Sequence, residues 1–216
     1  MEFPALEFEA LGYQSVAATQ KSYNGVAILS RQNIDLVHNA LPGNDNDEQA
    51  RYLEADINGV RVINIYLPNG NPVDTEKFSY KLEWMEHLYQ RLQTLVKENV
   101  PFAIGGDFNV IPEDQDCYDP KAWHGDALFR PESRSMLRRY INLGLTDALR
   151  VNNTKSKEYT FWDYQAGAWP KNNGIRIDHF LLSPELADRL ESCSINKTPR
   201  GWEKPSDHTP IEIILS

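Results

Sequence analysis

The chemistry with the clearest spacing lies near the middle of the chain, in Pro101-Phe102-Ala103-Ile104-Gly105-Gly106-Asp107-Phe108-Asn109-Val110. An apolar run breaks at two glycines and then delivers an acid and an amide. Val100 to Ile104 carries no charge, which suits a strand covered on both faces, and paired glycines let the backbone turn sharply where a ligand comes close. Asp107 and Asn109 would then stand at the mouth of the strand. A carboxylate beside a carboxamide oxygen is a hard-oxygen site for Mg²⁺ or Mn²⁺, and the amide NH₂ can donate to a phosphate oxygen. The same pair also reads as an ordinary strand-end turn, because Asp and Asn are turn formers.

Three other places carry polar groups that a core would not want. Tyr66 and Asn69 sit in Tyr66-Leu67-Pro68-Asn69, Asp178 interrupts the apolar Ile175-Arg176-Ile177-Asp178-His179-Phe180, and Ser206-Asp207-His208-Thr209-Pro210 precedes the last apolar run. Taken singly these read as a core tyrosine, a satisfied buried acid and a turn ahead of proline. Together they point to a site, because a buried Asp is costly unless paired, and His is its usual partner. Phosphodiester hydrolysis asks for these types: an activated water, a Lewis acid on the phosphoryl oxygens and fixed donors for the extra transition-state charge.

The elements that would position these groups are legible in part. Pro4 to Leu11 suits a short helix; Tyr13 to Thr19, Gly25 to Leu29 and Ile34 to Asn39 suit strands; Pro42 to Gln49 is acidic and turn-rich. Arg51 to Ile57 and Val60 to Tyr66 flank Asn58-Gly59, a hairpin signal. Thr75 to Glu98 holds a helical period through Phe78, Leu82, Met85, Leu88, Tyr89, Leu92, Leu95 and Val96. Pro112 to Asp126 reads as an irregular loop and Pro131 to Asn142 as a helix. Tyr159 to Asp163 reads as a short strand, Ile175 to Leu182 as a longer one, and Ser183-Pro184 opens a helix to about Leu190. Ser192 to Asn196 and Pro210 to Leu215 close the chain as strands. Many strands and few helices predict an α+β sandwich, sheets packed together with helices outside.

The 216 residues carry 11% aromatic and 25% charged side chains and show no composition break, which predicts one folded domain over residues 1–216. No run reaches membrane-spanning length, and Met1-Glu2-Phe3-Pro4 carries no secretory signal pattern. Cys117 and Cys193 lack metal-ligand spacing and read as reduced thiols, so the expectation is a cytoplasmic protein that avoids membranes. A net charge of −9 argues against diffuse electrostatic gripping of nucleic acid and leaves room for a local basic rim.

Taken together, Gly-Gly-Asp-Phe-Asn-Val, Asn24-Gly25-Val26-Ala27-Ile28-Leu29-Ser30, Tyr-Leu-Pro-Asn, Arg-Ile-Asp-His-Phe-Leu-Leu-Ser and Ser-Asp-His-Thr-Pro-Ile resemble, in that order, the exonuclease III family. These are metal-dependent apurinic/apyrimidinic endonucleases and 3′-to-5′ exonucleases of the endonuclease/exonuclease/phosphatase superfamily. The resemblance implies a four-layered α/β sandwich, two packed mixed β-sheets flanked by helices, with the site at one edge. It implies a monomer acting on double-stranded DNA at abasic sites or 3′ ends, with Mg²⁺ or Mn²⁺. It also implies roles. Asp107 would orient or deprotonate the attacking water, and Asn109 would hold the scissile phosphate. Asp178 would orient His208, and Asp207 would ligate metal with Asp107, Asn109 and His208. Tyr66, as phenol or phenolate, would assist at the phosphate or leaving group, with Asn69 on the substrate. Trp162 would stack on an exposed sugar or base, and Arg176, with Lys171, Asn172 and Asn173, would touch phosphate; a core tryptophan and a solvated turn are the plainer readings.

The resemblance departs at the front, where the family carries a strand with an Asn, a helix, and a strand ending in Gln-Glu whose Glu binds metal. Met1 falls beyond that segment, so the expectation is an incomplete N-terminus, exposed sheet edges, weakened metal binding and sharply reduced activity, unless Glu48 or Glu54 fills the shell. The rival expectations are a phosphatase or phosphodiesterase acting on a phospholipid or inositol phosphate, and a non-catalytic DNA-binding remnant.

Overall fold

The computed structural model describes residues 3–154 and 157–216. Its elements, in chain order, begin with α1 (Ala5–Ala10), β1 (Gln14–Thr19), β2 (Gly25–Ser30), β3 (Asp35–His38), β4 (Tyr52–Ile57), β5 (Val60–Tyr66), α2 (Glu76–Lys97) and β6 (Phe102–Asp107). After a 3₁₀ turn at Asp114–Asp116 come α3 (Pro120–Trp123), α4 (Pro131–Asn142), β7 (Thr146–Asp147), α5 (Ala148–Asn152) and α6 (Ala168–Lys171). The chain finishes with β8 (Asp178–Leu182), α7 (Pro184–Ala187), β9 (Leu190–Ile195) and β10 (Ile211–Leu215).

Asn58 and Gly59 both take positive φ, 51° and 79°, which is what a two-residue turn needs to match the twist of its strands. They join β4 to β5 as the start of a six-stranded sheet in the order β3-β4-β5-β6-β8-β7. Within it β5 and β6 are parallel and the other neighbours antiparallel. A parallel pair needs a crossover, and α2 supplies it. Thr75 caps that helix by accepting from the Lys77 N–H, and Trp84, Met85, Leu88, Leu92 and Leu95 form its buried stripe. The stripe packs on Ile63, Ile65, Phe102 and Ile104 and on Tyr140 of α4, whose hydroxyl donates to the Met85 carbonyl at 2.8 Å. The period of α2, read from sequence as packing against a sheet, does that.

The opposite face of the sheet is covered by two antiparallel pairs, β1–β2 and β9–β10, each forming its own two-stranded sheet. Val26 and Ile28 pack on Leu53 and Ala55, while Ile213 and Leu215 pack on Ala103 and Leu182. Asn64 stitches β5 to β2 by donating to the Ala27 carbonyl at 2.8 Å. Between the pairs runs a trough of about 330 Å³, lined by Ile28, Val62, Asn64, Gly105, Phe180 and Ile211. The second layer is therefore divided rather than one mixed sheet, and β2 and β10 each pair on one side among the described residues. No helix among the described residues is long and apolar enough to cross a membrane, and both cysteines are free thiols.

Several boundaries differ from the sequence reading. Tyr159 to Asp163 forms no strand; Phe161 instead makes single bridges to Ile175 and His208. The strand expected from Ile175 starts at Asp178, Ile175 making single bridges to Cys117 and Phe161 instead. The helix after Ser183 stops at Ala187, and β9 begins at Leu190. The supposed irregular loop 112–126 contains α3, with Asp119 as its cap and Pro120 in its first turn.

Candidate active site

The register of three neighbouring strands assembles the centre of the site. Tyr66 lies opposite Asp107 across β5 and β6, and Asp107 lies opposite Asp178 across β6 and β8. Residues paired in register project to the same face, with strands about 4.8 Å apart. A phenol and two carboxylates therefore stand in a row at one end of the sheet. Beyond Asp178, the imidazole of His208 completes the row, its Nδ1 lying 2.9 Å from Asp178 Oδ2. His208 is held there by its bridge to Phe161 and by edge-on contact with that ring, 5.0 Å between centroids.

Local backbone constraints explain why glycine precedes Asp107. Gly106 has φ 132°, and a Cβ there would fall 2.1 Å from the Ile65 carbonyl oxygen. A side chain on Gly105 would meet the Phe180 ring at 2.4 Å. Asn109 itself takes a left-handed φ of 47°, a conformation Asn tolerates better than most residues. In that conformation its N–H donates to Asp107 Oδ1 at 2.8 Å, and its amide donates to Asp107 Oδ2 and to the Leu67 carbonyl, both at 2.9 Å. Asn69 donates to Asn109 Oδ1 at 3.1 Å. Both amide hydrogens of Asn109 are thus spent on the protein, and the buried side chain fixes the Asp107 carboxylate instead of offering itself to a phosphate.

The electrostatics follow from this crowding. Burial, and next the neighbouring Asp178 charge, push the Asp107 carboxyl up to about 7, against the opposing pull of His208 and Lys81. For His208, burial disfavours the cation, but the hydrogen bond and charge of Asp178, with Asp107 and Asp207, outweigh it and carry the imidazole to about 9. At neutral pH His208 is a cation beside two acids.

The structure withdraws two expected substrate contacts. Trp162 is fully buried, packed edge-on against Tyr159 and Trp169, with its Nε1–H donating to Asn172; its ring is a core element with no face for a sugar. Arg176 is 1% exposed. It is clasped by Asp116 at 2.7 Å and Asp147 at 2.9 Å, so it cannot reach a phosphate. Glu54 is likewise excluded from a metal shell, because it is buried and held by Tyr52, Arg61 and Arg91. Glu48 stays on the exposed loop.

Four residues at the site escaped the sequence reading. Thr160, buried, accepts from the Ile177 and Asp178 N–H groups, both at 3.1 Å, and so fixes the backbone under Asp178. Arg51 lays its guanidinium 4.8 Å from the Tyr66 ring centroid and donates to the Tyr66 carbonyl at 3.0 Å. Lys81, on α2, is fully buried; its Nζ donates to the carbonyls of Asn69 at 3.1 Å and Asn109 at 2.6 Å. Burial pulls its ammonium down to about 7. Tyr164 is 62% exposed, and its hydroxyl donates to the Pro205 carbonyl at 2.9 Å, beside the turn that carries Asp207 and His208. Only Lys81 left a readable signal: it falls at the apolar spacing Phe78, Lys81, Met85, Leu88.

No three His, Cys, Asp or Glu side chains among the described residues converge in a geometry able to hold an ion by themselves. The donor set nevertheless suits a hard cation of the Mg²⁺ kind. Such an ion keeps most of its waters and is held by one or two carboxylates plus substrate oxygens, and Asp107 with Asp207 are oxygen donors in a locally acidic site.

Comparison with known proteins places this geometry. The model of the Endonuclease/Exonuclease/phosphatase family matches residues 3–208. The chain is 35% identical over 221 aligned residues to the Exodeoxyribonuclease III of Haemophilus influenzae, covering 97% of this chain and 83% of that protein. Among solved structures it superimposes on the 3′ phosphatase NExo from Neisseria, bound to a product DNA hairpin, with a TM-score of 0.96, 37% identity and coverage of 100% and 84%. An AP endonuclease from Archaeoglobus fulgidus gives a TM-score of 0.94, 37% identity and coverage of 99% and 83%. This chain belongs to the Endonuclease/Exonuclease/phosphatase family, with exonuclease III-type proteins among its relatives.

Proposed function

We propose that this chain is a divalent-metal-dependent DNA-repair phosphodiesterase of exonuclease III type, acting on duplex DNA at 3′ ends and abasic sites. The observation that carries the reading is the row Tyr66, Asp107, Asp178 and His208, set by strand register and one 2.9 Å contact. Asp107, both of its carboxylate oxygens fixed by Asn109, is placed to take the proton of the attacking water. His208, cationic and fixed by Asp178, neutralises charge on a non-bridging phosphoryl oxygen. Tyr66, opposite Asp107 and at the far end of the row from His208, is placed to assist at the phosphate or the leaving group. Asn69 and Asn109 hold Asp107 in place. Asp107 and Asp207 would hold a hard cation, Mg²⁺ in this reading, which would supply Lewis-acid polarisation of the phosphoryl oxygens.

Trp162 is sealed in the core, but Phe161 of the same segment is partly exposed and edge-on to His208. The likeness to a Neisseria 3′ phosphatase and to an AP endonuclease supports both kinds of site in this proposal. Duplexes carrying a recessed 3′-hydroxyl, a 3′-phosphate and an internal abasic analogue, incubated with Mg²⁺ and then EDTA, test it. Metal-dependent release at 3′ ends is expected. Retention of the duplexes without cleavage would indicate a binding protein, and hydrolysis of inositol phosphates with DNA untouched would indicate the phosphatase branch; either result overturns the proposal.

A further inference from the structure

The most anomalous side chain in the molecule is Lys81. Lysine is almost never fully buried unless it is paired, yet Lys81 is fully buried and no salt bridge to it falls within contact distance among the described residues. Its ammonium is spent on two backbone carbonyls, those of Asn69 and Asn109. These belong to the two loops that leave the parallel strands β5 and β6 at the site. The loops also meet through their side chains, Asn69 donating to Asn109, and Asn109 in turn grips both oxygens of Asp107. Lys81 is thus a post rising from α2 that ties the two loops from below.

The surroundings are shaped around that post. Gly70, at φ 89°, could not carry a Cβ, which would fall 2.6 Å from the Lys81 Cδ. An apolar residue of the same length would fill the space but leave two inward-facing carbonyls without a donor, each costing the desolvation of an unmade hydrogen bond. The loops would then have reason to shift, and a displacement of about 1 Å at a reacting group is worth roughly 100-fold in rate.

We propose that Lys81 is a positioning residue for the hydrolytic centre: it holds the left-handed turn at Asn109, and through it the aim of the Asp107 carboxylate. The proposal rests on the phosphodiesterase reading, so its test carries one readout that needs activity and one that does not. Lys81→Met and Lys81→Gln are compared with the wild type on a 3′-recessed duplex with saturating Mg²⁺. Lys81→Met should lower kcat about 30- to 100-fold with KM changed less than about threefold, whereas Lys81→Gln, which donates to one carbonyl, should recover part of the loss. A general loosening of the fold would not produce that split between kcat and KM or the partial rescue. Independently of turnover, the side-chain amide signals of Asn69 and Asn109 in ¹H–¹⁵N spectra should move and exchange faster in Lys81→Met. Unchanged amide signals in a folded variant overturn the proposal even if no DNA is cut. Full kcat in Lys81→Met overturns it while leaving the phosphodiesterase reading intact.

Discussion

Asp107→Asn should make the protein more stable while abolishing hydrolysis. The carboxyl of Asp107 is pushed from 3.8 to about 7 by burial and by Asp178, which means that the folded protein holds this group charged at a cost. At 1.36 kcal/mol per pH unit the displacement corresponds to roughly 4 kcal/mol. Asp107 is partly exposed, and an asparagine NH₂ would confront the Asn109 amide that now donates to Oδ2, so about 2 kcal/mol of net gain is the working figure. For a chain of this length that raises Tm by roughly 4–8 °C. The sign depends on pH in a defined way. A raised carboxyl favours the folded state below the unfolded value near 4 and loses that advantage as pH rises through about 7. The gap between Asp107→Asn and wild type should therefore be small at pH 4, open between pH 4 and 7, and stay constant above. Thermal melts in EDTA across that range measure it, and added Mg²⁺ should narrow the gap by stabilising the wild type. If Asp107→Asn melts at or below the wild type at pH 8 in EDTA, the account of Asp107 as an uncompensated charge is wrong.

The other consequences concern the groups around it. Replacing Arg176 by Met leaves Asp116 and Asp147 facing an empty partner and should cost about 3–5 kcal/mol in denaturant titrations. Its DNA affinity should stay unchanged, and a weakened complex with unaltered stability would return Arg176 to the substrate. Thr160→Val strips the acceptor from two buried N–H groups beneath Asp178; a loss of about 1–3 kcal/mol with a lower kcat and an unaffected KM is expected, and an unaffected kcat refutes the link. For His208→Gln the Tm deficit should be largest near pH 6. It should vanish as pH rises through about 9, since a histidine raised by its carboxylate neighbours contributes only while protonated; a deficit independent of pH would mean that the contact to Asp178 owes nothing to charge.

How much of this was legible beforehand depended on whether the signal was local. The Asn58-Gly59 hairpin and the period of α2 are written in contiguous residues, and each formed as read; the Gly-Gly pair reads as a break in the strand, whereas β6 runs through both glycines to Asp107 with each of them in register. The convergence of Tyr66, Asp107, Asp178 and His208 was suggested by residue types, but the register that aligns them is a property of three strands scattered along the chain. Trp162 and Arg176 show where local reading stops. A tryptophan and an arginine beside a candidate site look like substrate contacts until their partners are seen. Those partners, Asn172 and Trp169 for one, Asp116 and Asp147 for the other, lie 7 to 60 residues away along the chain. Thr160 and Arg51 were silent for the same reason, since nothing in a lone Thr or Arg announces which backbone groups it will serve.

The way the protein treats its other buried acids makes the site stand apart. Glu54 and Asp116 are both fully buried, and each is gripped by two arginines, Arg61 and Arg91 for one and Arg150 and Arg176 for the other. Burial works to raise both carboxyls, yet the arginines prevail and both are lowered. Asp107 receives no such partner: its nearest cations act only through charge, from His208 and from Lys81, whose hydrogen bonds go to carbonyls. A chain that pairs acids so thoroughly elsewhere, while setting two carboxylates side by side at the end of a sheet, holds a negative surplus there at the expense of its own stability. Such a surplus is stable only as a place for something cationic, a proton in transit or a hard metal ion with its water, and both are what phosphodiester hydrolysis requires.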